Sequence, residues 1–140
     1  MSLRIVLEDR DRWPVLAPAA AMGLAAGVLM ARIGLPPVDL HGPLHRWWGV
    51  MDPLCGGTRA VRLAAMGDFT AAWSYNPLGP ILVTGALLAL VRWSAATVSR
   101  RWLAVEVTLP RPLSTAVRIV MVLLVVLLEV RQQLHTQLLL

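Results

Sequence analysis

The sequence predicts an all-α membrane protein: three hydrophobic helices, with a short helical interfacial or re-entrant loop between the first and second. Three observations predict it. Apolar residues make up 57% of the 140 positions and charged residues only 15%, where a soluble domain carries about 25% charged residues. Uncharged apolar runs occupy residues 15–31, 78–91 and 119–128, and such runs are stable as helices in lipid, where each backbone polar group must be satisfied internally. Proline, glycine and tryptophan punctuate the ends of these runs, as they do at membrane boundaries.

The first helix spans about residues 13–33. From Val15 to Ile33 the rise of ~1.5 Å per residue gives roughly 28 Å, close to the hydrocarbon thickness. Pro18 falls near the first turn, where a missing N–H costs little. Ala19, Gly23, Gly27 and Ala31 recur every four residues. They form one small-residue face that another backbone can approach, through Gly23 and Gly27 above all. That spacing suits packing within the chain or self-association into a helix bundle. The preceding twelve residues are rich in charge. The apolar run resembles a signal-peptide core, but residues 34–37 lack a small-x-small cleavage site, so a retained anchor is expected.

Residues 34–76 form the motif loop. Pro36-Pro37 stops the first helix. Leu44 to Trp48 carries paired tryptophans suited to the membrane surface. Two short helices follow: one capped by Thr58, running from Arg59 to Met66 and ending at Gly67, then one capped by Asp68, from Phe69 to about Tyr75. Asn76 suits the bend and Pro77 the first turn of the second long helix, about residues 77–98. Arg92 reaches the interface by snorkelling.

In the linker, residues 99–112, Leu103, Val105, Val107 and Leu109 alternate with Ala104, Glu106 and Thr108. Period two predicts an extended segment with one apolar face, lying against the interface or a partner. The third helix covers about residues 113–130. Its charge-free part, 119–128, amounts to about 15 Å and spans only if Arg118 and Glu129 snorkel, so a re-entrant or interfacial segment is the alternative. The whole, residues 1–140, reads as one membrane unit.

All thirteen basic residues are arginine, and the formal charge is +5. Their scatter excludes a nucleic-acid stripe and fits helix flanks meeting anionic head groups. If all three segments span, Arg4, Arg10, Arg12, Arg92, Arg100, Arg101, Arg111 and Arg118 share one side, and Arg32, Arg46, Arg59, Arg62 and Arg131 the other. The positive-inside rule then puts the N-terminus in the cytoplasm. The expected partners are membrane lipids and other membrane protein subunits, with no nucleic acid.

The most distinctive stretch is Asp52-Pro53-Leu54-Cys55-Gly56-Gly57-Thr58-Arg59, followed by Gly67-Asp68 and Asn76-Pro77-Leu78. It resembles a bacterial integral membrane family, domain of unknown function 2752, whose pattern is Cys-Pro-x-Cys-Gly-x-Thr-Arg, Gly-Asp, Asn-Pro-Leu. Pro53, Cys55, Gly56, Thr58, Arg59, Gly67, Asp68, Asn76, Pro77 and Leu78 match it. Arg131 resembles the arginine that closes the family's last helix. The resemblance implies a location in the bacterial inner membrane and lends no activity. Where the family has its first cysteine this chain has Asp52, which excludes a disulfide within the loop and weakens a soft-metal site.

Physically, the loop allows several chemistries. His41, His45, Asp52 and Cys55 are potential metal ligands at irregular spacing. Gly56-Gly57-Thr58 with Arg59 and Arg62 would suit an anion or lipid head group at a helix N-terminus. Cys55 beside Arg59, with His41 or His45 as base, would be the minimum for thiol catalysis. The structural alternative has Cys55 packed and Arg59 tied to Asp68 or Asp52. No cofactor is called for and catalytic machinery is sparse. The reading is a non-enzymatic accessory or assembly subunit of a larger membrane complex.

Overall fold

The computed structural model describes residues 2–35, 48, 52–108 and 110–135. His41, His45 and most of the Leu44 to Trp48 stretch lie outside them. The chain is mostly helical, with three long apolar helices and short helices between the first and second. Its elements in order are β1 (Ser2–Glu8), α1 (Leu16–Ile33), α2 (Gly57–Ala65), α3 (Phe69–Tyr75), α4 (Leu78–Ser99), β2 (Trp102–Thr108) and α5 (Arg111–Leu134). By length and composition α1, α4 and α5 can each cross a membrane, which points to a membrane location.

α1 ends at Gly34, whose N–H donates to the Met30 carbonyl at 3.0 Å and whose φ of +92° takes the chain out of the helix. α1 and α4 are antiparallel neighbours: Leu16 and Ala20 early in α1, and Ala89 late in α4, line one apolar groove of about 540 Å³. Gly23 and Gly85 also line it. α2 packs into the other half of this pair. A Cβ on Gly27 would meet Val61 at 3.3 Å, so the small-residue face of α1 admits α2 of the same chain. The buried core is correspondingly small-residue, with Ala60, Ala64, Ala72 and Val83 at its centre and Leu24, Leu63 and Tyr75 against it.

α5 is a continuous helix of 24 residues, about 36 Å long. The short charge-free stretch therefore understates the helix. Pro112 sits in its first turn, where it leaves the hydrogen-bond ladder intact. None of its apolar window is buried against the rest of the chain.

The linker strand does not lie alone. β2 pairs antiparallel with β1, from Ser2 opposite Thr108 to Glu8 opposite Trp102. The alternation of Leu3, Ile5 and Leu7 was the available signal for β1, hidden beneath the charges around it. The pairing also puts the N-terminal segment and the second connection on the same side. Arg92 does more than snorkel there. Its Nε donates to the Leu103 carbonyl at 2.8 Å and its Nη2 to Asp11 at 2.9 Å. Its guanidinium lies 5.3 Å from the Trp13 ring centre and 5.5 Å from that of Trp102.

Candidate functional site

The motif residues converge where α2, α3 and the start of α4 meet. The chain enters through a tight turn: the Cys55 N–H donates to the Asp52 carbonyl at 3.0 Å, and the Gly57 N–H to Leu54 at 2.8 Å. The Asp52 carboxylate accepts the Leu54 N–H at 2.8 Å. Gly56 then takes a φ of +73°, a conformation open to glycine at little cost, and α2 begins at once. Thr58 therefore lies inside α2 and makes no cap. The helix start moves two residues earlier than the Thr58 reading implied, because the glycine turn supplies the entry.

Asn76 is the hub. It is fully buried. Its Nδ2 donates to the carbonyls of Pro53 and Cys55, both at 2.9 Å, and its Oδ1 accepts the Leu78 N–H at 2.9 Å. One amide thus joins the 52–57 turn to the first turn of α4. Asparagine suits this position because it carries two donors and an acceptor on a short arm. Pro77 follows with helical angles and leads into α4.

Gly79 sets the distance between α2 and α4. A Cβ there would fall 2.4 Å from the Ala60 Cβ and 2.7 Å from the Ala60 carbonyl carbon. Gly67 ends α2 with a φ of +87°, and Asp68 caps α3 by accepting the Ala71 N–H at 2.9 Å.

Cys55 is buried, 5% exposed, and packs against Tyr75. The Arg59 guanidinium lies 5.9 Å from the centre of the same ring. Arg62 does not join Arg59 at the helix N-terminus: its Nε donates to the Met30 carbonyl at 2.9 Å, tying α2 to the end of α1. Among the described residues no three His, Cys, Asp or Glu side chains group as a metal site. His41 and His45 fall outside them.

The far end of α5 closes this corner. Arg131 Nη2 donates to the Trp73 and Ser74 carbonyls, each at 2.9 Å, and Gln132 Nε2 to Tyr75 at 3.4 Å. These are last-turn carbonyls of α3, which lack partners within their own helix. Gln132 is fully buried. Among the described residues, three buried atoms here have no hydrogen-bond partner: Glu129 Oε2, Arg131 Nη1 and Gln132 Oε1. Sequence reasoning singled out Arg131 and passed over Gln132, whose polar side chain in the closing turn of an apolar helix was the available signal.

Residues 43–90 match the model of a family described as "Protein of unknown function (DUF2752)". Neither a curated protein nor a solved structure gives a significant match to the chain.

Proposed function

Taking residues 43–90 as a DUF2752 region in a membrane-located chain, we propose that the protein is a non-enzymatic accessory or assembly subunit of a larger complex in the bacterial inner membrane, its N-terminus cytoplasmic. The observation that carries the reading is how the motif's polar groups are occupied. Asn76 ties the 52–57 turn to the start of α4 and Arg62 ties α2 to the end of α1, while Asp52 and Asp68 are taken up locally by the turn and by the α3 cap. Motif chemistry of this kind builds a scaffold. The surface around it is apolar: α5 exposes its apolar residues along its whole length, and the groove between α1 and α4 is open. Helices associate in lipid by close packing of such surfaces.

A second reading is favoured by three atoms of Glu129, Arg131 and Gln132 that find no partner among the described residues. Buried polar atoms left open in a folded protein call for an explanation, and a polar ligand such as a lipid head group is one.

One extraction separates the readings. The tagged protein is taken from its native membrane in mild detergent, and the bound proteins and lipids are identified by mass spectrometry. The subunit reading expects a membrane protein at fixed stoichiometry, retained by Cys55→Ser because Cys55 packs and does not react. A monodisperse protein with no protein partner rejects it, and one carrying a single phospholipid class selects the second reading.

A further inference from the structure

The β1–β2 sheet has one face against the protein and one face open. Ala104 is buried, and Glu8 and Glu106 on its face both receive Arg12, at 2.6 and 2.9 Å. The opposite face carries Ile5 (67% exposed), Leu7 (57%), Leu103 (44%) and Val105 (39%), with Ile5 opposite Val105 and Leu7 opposite Leu103. Four large apolar side chains thus form one uncovered patch.

Its position follows from Arg92. That residue lies seven positions before the end of α4, about 10 Å along the axis, and its Nε bonds the carbonyl of Leu103. β2 therefore runs back beside the last two turns of α4, at the level of Trp13 and Trp102, whose rings flank Arg92. Trp13 and Trp93 are partly exposed there. Tryptophans at the end of an apolar helix mark head-group depth.

The charges around the patch are one-sided. Arg10, Arg100, Arg101 and Arg111, in the segments that lead into and out of the two strands, are exposed and make no ion pair among the described residues, while Arg4 stands opposite Glu106 on the other face. Of the nearby carboxylates, Glu8 and Glu106 are taken by Arg12 and Asp11 by Arg92, which leaves Asp9. An apolar face rimmed by free arginines at head-group depth complements an anionic lipid surface, which attracts each basic residue held close to it.

We propose that the β1–β2 sheet is a membrane-surface element that lays Ile5, Leu7, Leu103 and Val105 into the interfacial zone of an anionic bilayer, held by the surrounding arginines. The inference is independent of the subunit reading, because it concerns lipid and the purified chain alone.

The test places an environment-sensitive fluorophore on Ile5→Cys and, separately, on Val105→Cys. Both positions are exposed, so folding is undisturbed. Cys55 is buried, and the unsubstituted chain checks that it takes no label. The protein is put into nanodiscs of phosphatidylcholine alone or with phosphatidylglycerol. Quenching is read with iodide from the water and with lipids spin-labelled near the head group. The expected result is quenching by lipid several-fold stronger than by iodide in the anionic discs, weakened in the neutral discs and by Arg100→Gln with Arg101→Gln. Three results overturn the proposal: iodide access in both discs, protection from both quenchers (a second copy or another protein face covering the patch), or lipid quenching indifferent to lipid charge.

Discussion

A single amide carries much of the motif's order. Asn76 makes three hydrogen bonds with no exposure to solvent, so its removal strands two carbonyls and one N–H. Asn76→Ala is expected to destabilise the protein by about 2–4 kcal/mol, since each stranded buried group costs about 1–3 kcal/mol and relaxation recovers part. Thermal unfolding in detergent checks it, and a midpoint within a degree of the wild type contradicts the hub role. At this scale the sequence was partly legible. Asn76 and Asp68 were readable as bend and cap from residue type alone. The partners of Asn76, 21 and 23 residues upstream, were not, because a side-chain amide gives no local sign of which distant carbonyls it meets. Thr58 misled because its type favours a cap, while Gly56 beside it had already provided the turn.

Between elements, the decisive contact is α2 on α4. Gly79 allows the Ala60 backbone to within the space a methyl group would fill. Gly79→Ala is expected to push the helices apart at a cost of about 1–3 kcal/mol, the usual range for overpacking. Ala60→Gly in the same chain should restore only part, because the Ala60 carbonyl carbon and the Val61 nitrogen, at 2.7 and 2.9 Å, are backbone and stay in place. Denaturation of the single and double variants measures this, and full rescue would mean that methyl contact alone matters. The first two long helices were plain from composition, while the third admitted both a spanning and a re-entrant or interfacial segment. The pairing of β1 with β2 was missed because two short period-two stretches far apart carry no mutual signal. The length of α5 was understated because charges near its ends interrupt the apolar run without interrupting the backbone.

Across the whole molecule, the two ends of the α1–α4 pair are fastened by different chemistry. At one end carbonyls and amides meet around Asn76. At the other, Asp11, Arg92, Arg12, Glu8 and Glu106 form ion pairs. Asp11 is pulled two ways: burial works to raise its pKa, while hydrogen bonds from Arg92 and the Trp13 N–H, with the Arg92 charge, outweigh it and leave the value lowered. A carboxylate whose folded pKa is depressed contributes stability that is fully present above its unfolded pKa of about 3.9 and is lost as pH falls through the folded value. The stability difference between wild type and Asp11→Asn should therefore be largest at neutral pH, about 1 kcal/mol or less for a pair of this kind. It should close as pH drops below 4. Thermal midpoints of both proteins across that range decide it, and a gap unchanged at low pH would mean that shape rather than charge holds the corner.

The strand pairing also has a consequence in time. β1 and β2 are separated by 94 residues at their nearest paired positions, Glu8 and Trp102. Between them lie α1, the motif loop and α4. During synthesis β1 waits, unpaired, while two apolar helices and the loop are made, and it finds its partner only after the chain has turned at Arg100. Completing the sheet therefore records that the hairpin of α1 and α4 has arrived with both ends on one side. A chain in which only one of those two helices has crossed cannot close it.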